Sequence, residues 1–378
     1  MANLGYLQLT RNCVQQCRFC SNPPTGIEIG EDEMRGLIDE LVAMGYDGVI
    51  LTGGEPTLSP LLFPALKYAR EKGLYSRMIT NGQKLAEPEF FKSCVEHGLT
   101  HVHVSLHSYR PEVHDFITEY PGAWRMLVTT LSLVPEMGIT CDINTVINAY
   151  NADHLHETVM WLVDRFPFIR HFVWNNMDPD GNRSEENPDC IPRHAEFQVS
   201  LELAMEYLQR TGRTFRAERV PLCYMRRFAW ASTEARKIIK EEERCIRFLD
   251  QKGFIHQKEF LHGKGSACDA CRFDPICAGV FSMARTYDER ELSPVFDDPV
   301  PVIRKILRKE PSPELLARLL ARRGKRSTSE QPSQEKRAAA LARPLYSLPE
   351  DKKLAGKGRV LDYARRTRDT VPLLHGRG

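Results

Sequence analysis

Short apolar segments recur from residue 5 to about residue 175 with helical patterns between them, and this alternation limits the fold more than any other feature. The segments are Tyr6–Leu9, Gly48–Leu51, Tyr75–Ile79, His101–Leu106, Ile139–Ile147 and His171–Trp174. Between the first two, Met34, Leu37, Ile38, Leu41 and Val42 fall on one helical face at i, i+3, i+4 spacing. Gly45, Gly73, Gly98 and Gly138, each suited to closing a helix, precede four of the strands. Alternation of this kind implies βα units and a parallel sheet. Six units predict an α/β fold built on a partial (β/α)6 TIM-like barrel, not a closed eight-fold one. In such barrels the chemistry collects at the carboxyl ends of the strands.

The distinctive residues follow that rule. Cys13, Cys17 and Cys20 come after the first strand, and Gly53-Gly54-Glu55-Pro56 after the second. Thr80-Asn81-Gly82 follows the third, Ser105-Leu106-His107 ends the fourth, Asn144 and Asn148 lie at and beyond the fifth, and Trp174-Asn175-Asn176 ends the sixth. The run Cys-Val-Gln-Gln-Cys-Arg-Phe-Cys supplies three thiolates. A structural zinc site is closed by a fourth protein ligand, and no nearby Cys or His provides one. Iron-sulfur clusters are normally held by four cysteines; three leave one iron open to an outside ligand. Gly-Gly before Pro is by itself only a turn signal, and Asn81-Gly82 by itself only a left-handed turn. His101, His103 and His107 alternate and so share a face with Ser105. Such a group can bind a metal, move protons or simply line a polar barrel.

The spacing C-x3-C-x-Phe-C, followed one βα unit later by Gly53-Gly54-Glu55-Pro56, resembles the signature of the radical SAM superfamily. The resemblance covers about residues 5–295. It implies a four-iron, four-sulfur cluster on Cys13, Cys17 and Cys20 whose open iron chelates S-adenosylmethionine. It further implies that Gly53 and Gly54 approach the methionine moiety and that Glu55 accepts from its ammonium. Asn81, Ser105 and Asn144 would touch the amino group, carboxylate or ribose, and Phe19 would pack near adenine.

A second group, Cys268-x2-Cys271-x5-Cys277, lies in a loop-rich segment. C-x2-C alone fits a zinc knuckle, a redox pair or a cluster loop. In a chain with this core it resembles the auxiliary-cluster region of SPASM and twitch domains. The fourth Cys of a full SPASM run is Phe281 here, so the resemblance implies one auxiliary four-iron cluster. Val220-Pro221-Leu222-Cys223 resembles the Pro-x-Cys lead into these domains; this makes Cys223 the fourth ligand, with Cys245 as the alternative. Cys94, Cys141 and Cys190 read as small buried hydrophobes. The expected division is a core over residues 1–215, an auxiliary-cluster domain over 216–298 and a basic low-complexity tail over 299–378.

Charge sharpens the last boundary. Residues 301–378 hold 20 Lys and Arg against 8 Asp and Glu, leaving 32 against 42 for residues 1–300. A short helix is expected at 311–322, and disorder from Gly324 to Arg343. The basic tail could give non-specific phosphate affinity, but charge runs are usually solvated, and nucleic acid is not an expected partner. No apolar run approaches the ~20 residues that span a bilayer, and no signal-peptide pattern opens the chain. Eleven cysteines then read as metal ligands in a cytoplasmic protein. The expected partners are a reductant such as flavodoxin or ferredoxin and a substrate, either a peptide or protein or a small molecule. The first cysteine stands at residue 13, with no room before it for a peptide-recognition domain, so a separate recognition partner is expected for a peptide. Asp142, Tyr109 and the three histidines are general-base candidates without geometry, and no catalytic residue is assigned.

Overall fold

A computed structural model describes residues 4–180, 183–242, 244–247, 254–257, 262–281 and 286–322; the side chains of 244–247 and 254–257 lie outside that description. Seven strands, β1 (Leu4–Thr10), β2 (Gly48–Gly53), β3 (Tyr75–Thr80), β4 (Leu99–Ser105), β5 (Thr140–Ile147), β6 (His171–Asn176) and β7 (Thr214–Glu218), pair in parallel in that spatial order. The first six lie within two residues of the apolar segments that predict them. β7 was not anticipated, because its sequence Thr-Phe-Arg-Ala-Glu is too polar to stand out. It pairs with β6 through Phe172 and Phe215, so the sheet runs across the boundary expected at residue 215.

Helices α1 (Glu31–Ala43), α2 (Leu62–Glu71), α3 (Pro88–His97), α4 (Pro111–Thr118), α5 (Ala123–Met137) and α6 (Leu155–Arg165) connect the strands. The strand period of two decides what each face does. On β4, Val102 and Val104 are fully buried in one apolar core with Leu66, Phe91 and Leu131 of the helices. His101, His103 and Ser105 alternate with them and occupy the opposite, inner face, where they are only partly buried. Completely burying one such valine is worth about 1.5–3 kcal/mol, so a one-residue register slip would cost several such terms at once.

Beyond β6 the chain forms α7 (Arg183–Glu186) and α8 (His194–Arg210), which buries Phe197, Leu201 and Met205. α9 (Thr233–Lys240) begins where Ser232 Oγ accepts from Ala235 N at 3.2 Å, the usual N-cap bond. Two strands then rejoin the main sheet: β8 (Arg244–Arg247) lies parallel to β1, and β9 (Phe254–Gln257) antiparallel to β8. A short ladder of β10 (His262–Gly263) and β11 (Val280–Phe281) flanks the second cysteine group. Helices α10 (Val300–Leu307) and α11 (Pro313–Ala321) pack onto the body through Ile303, Ile306 and Leu319. Packed structure therefore continues past residue 299, and α11 meets the helix expected at 311–322. Residues 323–378, including the stretch expected to be disordered, lie outside the described residues.

Candidate functional site

The cysteine loop leaves β1 and is tied down on two sides. Its return strand runs beside β1, with Arg11 N donating to Ile27 O (2.7 Å) and Ile29 N to Leu9 O (3.1 Å). On the other side Gln16 N and Arg18 N donate to Thr118 O and Ile117 O at the end of α4. Glu119, which closes α4 in a left-handed conformation, takes Arg183 at 2.7 Å and Arg18 at 3.2 Å. Arg183 Nε also donates to Cys17 O (3.2 Å). Two guanidiniums around one carboxylate thus fix the loop that presents Cys13, Cys17 and Cys20, all partly buried. Burial, then the Glu55 carboxylate, push the Cys13 thiol up to about 12, with Cys20 adding to the shift. Burial and the other two cysteines raise Cys17, and burial raises Cys20. Any metal bound by these thiols would displace their protons, since thiolate is the ligand form.

The glycines of the second strand end serve this loop directly. Gly54 N donates to Thr10 O and Glu55 N to Asn12 O, both at 2.7 Å. A Cβ on Gly53, whose φ is +138°, would lie 2.1 Å from Thr10 O, and one on Gly54 2.2 Å from Asn12 O. The glycine requirement visible here is the chain's own backbone packing. Glu55 is buried and already holds four donors: Oε1 accepts from Thr57 N, Thr57 Oγ1 and Thr80 Oγ1, and Oε2 from Asn81 N. Burial raises its pKa while those donors oppose the rise. It straps the end of β2 to the end of β3. Asn81 does two things. Its Oδ1 accepts from Gln83 N (3.0 Å), the turn reading, and its Nδ2 lies 4.0 Å from Cys13 Sγ.

Ser105 and Asn144 are register partners on the inner face of β4 and β5, and Asn144 Oδ1 accepts from Asn175 Nδ2 at 2.6 Å. Phe19 is buried in a second apolar cluster with Phe116, Ile117, Met177 and Tyr287, edge-on to His107 at 4.8 Å. The three alternating histidines separate. His101 and His103 stack on each other beside Asp142, whereas His107 is buried beyond the strand, its Nδ1 accepting from Val146 N (3.2 Å). His114 is fully buried against the His107 ring, and Asp115 caps α5 by accepting from Gly122 N and Trp124 N. Asn148 closes a turn on Tyr150 N, and Tyr109 donates to Glu157 on α6.

The second cysteine group does come together. Cys223, Cys268, Cys271 and Cys277 line one small cavity with Lys264 and Asp274. Burial, then its three partner thiols, push Cys223 up to about 12. Val295 N donates to Cys271 Sγ at 3.3 Å. Lys264 Nζ donates to Asp274 O (2.6 Å) and Oδ1 (2.8 Å), with both side chains buried. The Cys245 side chain lies outside the described residues; its backbone is in β8, whose Ile246 pairs with Tyr6 in the amino-terminal half of β1. Cys17, Cys223 and Cys268 all pack against the cluster that contains Phe19 and Tyr287, so both cysteine sites share one apolar wall. Arg183, Glu119 and Lys264 were missed from sequence, since single charges in loops carry no spacing signal.

A parallel α/β sheet with a three-thiol loop at the carboxyl ends of its strands and four further thiols lining a separate cavity defines a protein organised around cysteine clusters. Residues 7–162 match the family model described as the Radical SAM superfamily. It is 29% identical over 162 residues to a PqqA peptide cyclase of Bradyrhizobium diazoefficiens, covering 42% of each chain. It is 30% identical over 156 residues to an AdoMet-dependent heme synthase of Methanosarcina barkeri, covering 40% of this chain and 44% of that one. The chain therefore spans less than half the length of these curated relatives. The solved structure of native anSMEcpe with bound AdoMet and Cp18Cys peptide is similar in fold, with a TM-score of 0.51 at 13% identity over 84% of this chain and 99% of that one. Among the described residues no helix is long and apolar enough to cross a membrane.

Proposed function

We propose that the chain reductively cleaves S-adenosylmethionine and abstracts hydrogen from a peptide or protein, using a second, auxiliary four-iron cluster. The observation that carries the reading is the three-thiol loop fixed at the carboxyl ends of the strands inside the matched family region. Three thiols from one loop suit a four-iron cluster with an open iron, and four thiols around one cavity suit a closed one. When bound at Cys13, Cys17 and Cys20, the cluster supplies the electron that splits S-adenosylmethionine into methionine and a 5′-deoxyadenosyl radical. The remaining work belongs to side chains. Arg18, Arg183 and Glu119 orient the loop, Asn81, Ser105 and Asn144 offer polar groups to the cofactor, and Phe19 with His107 forms an apolar wall that excludes water. Cys223, Cys268, Cys271 and Cys277 hold the auxiliary cluster.

A peptide substrate is supported by the peptide cyclase relatives, and a separate recognition protein would then present it. The heme synthase relatives favour a second reading, a small molecule of cofactor biosynthesis bound on the inner face. In either case a reductant such as flavodoxin or ferredoxin supplies the electron. The test is anaerobic reconstitution with iron and sulfide, an iron count, then dithionite and S-adenosylmethionine. About eight irons per chain with 5′-deoxyadenosine formed is the expected result. Tightly held zinc and no deoxyadenosine would overturn the proposal.

A further inference from the structure

On the inner face, away from the cysteine loop, His101 and His103 of β4 and Asp142 of β5 bring one ligand atom each within 4.8 Å of the others. His101 Nε2 lies 2.8 Å from Asp142 Oδ2, and His103 Nδ1 lies 3.8 Å from the same oxygen. A tetrahedral ion with ligand bonds near 2.0–2.1 Å sets its donors roughly 3.3 Å apart, between these two spacings. The side chains are 11%, 14% and 6% exposed.

As a hydrogen-bonded lining the group is incomplete. His101 Nε2 lies against the Asp142 carboxylate, but the buried His103 Nε2 has no hydrogen-bond partner. Buried polar atoms without partners are few in folded proteins and call for a cause. Period two places both imidazoles on one side of β4, and the parallel register sets His103 opposite Asp142.

We propose that His101, His103 and Asp142 bind a divalent transition ion of the zinc, cobalt or ferrous class. Two imidazoles and a carboxylate suit such ions better than magnesium or calcium. Three protein ligands leave a coordination position for water or a substrate oxygen. The site lies two residues below Ser105 along β4, about 7 Å at strand rise, which places the ion beneath the polar layer of Ser105 and Asn144. The Arg77 guanidinium acts on the His103 imidazole and opposes a dication, so it limits affinity.

The experiment uses full-length protein already loaded with iron and sulfide, so that the thiols are occupied. Cobalt(II) is added by equilibrium dialysis, and bound ion is counted beyond the clusters. One additional ion per chain is expected. Asp142→Asn and His103→Ala should weaken it by more than the about 10–100-fold that loss of an outer-shell partner costs a metal site, with iron content unchanged; Arg77→Met should tighten it. Copper(II) bound to the wild-type holoenzyme should show imidazole nitrogen modulation in pulsed electron paramagnetic resonance, a readout independent of variant folding. No ion beyond the clusters, unchanged affinity in Asp142→Asn, or no nitrogen coupling would overturn the proposal.

Discussion

The two cysteine sites differ in how they are enclosed. The front loop gathers three thiols from eight consecutive residues and is held from outside by Arg18, Arg183 and Glu119. The rear cavity gathers four thiols from segments more than forty residues apart and closes them around the buried Lys264–Asp274 pair. Local sequence suffices for a site that must stay open on one side. Closure needs tertiary folding, and the fourth ligand comes from elsewhere in the chain. The same apolar cluster backs both sites.

The largest effect should come from the front loop. Cys13→Ala is expected to abolish 5′-deoxyadenosine formation in the reconstituted enzyme; retained formation would break the open-site assignment. Next, Cys223→Ala should lower iron from about eight towards four per chain while Cys245→Ala leaves it unchanged. The reverse pattern, read by iron and sulfide analysis, would exchange the two ligands. Lys264→Met leaves Asp274 buried without its ammonium, and breaking a buried pair costs about 3–5 kcal/mol. A lower melting temperature of the holoenzyme is expected, with front-loop iron retained. Gly54→Ala drives a Cβ towards Asn12 O, so cluster occupancy at the front loop should fall while the rear cavity fills normally. Asn81→Ala should give the smallest change, a rise in KM for S-adenosylmethionine on the scale of one hydrogen bond, about 1 kcal/mol. An unchanged KM would leave Asn81 as a turn residue alone.

Much of this was legible because it is local. Period-two and 3.6-residue patterns located six strands and the helices between them, and the C-x3-C-x2-C spacing located the front loop without any tertiary information. β7 escaped because Arg216 and Glu218 interrupt its apolar pattern. α10 escaped because Ile303 and Ile306 stand among Arg and Lys, whose charge suggested a solvated tail. Sequence spacing also treated His101, His103 and His107 alike. The strand ends at Ser105, so the period that links the first two does not extend to the third. The role of Glu55 shows a different limit. A motif indicates that a carboxylate is required but not that four of the chain's own donors already occupy it.

The pairing of β8 with β1 has a practical consequence. Without residues 244–247, the amino-terminal strand would expose part of its backbone hydrogen-bonding row at the margin of a parallel sheet, the kind of surface that recruits foreign strands. The segment leading to the rear cysteines therefore also shields the barrel's first strand. Cutting the chain after β7 to isolate the region that carries the family match would create a sticky edge, and poor solubility of such a fragment would reflect that wound and not a defect in its cysteine loop.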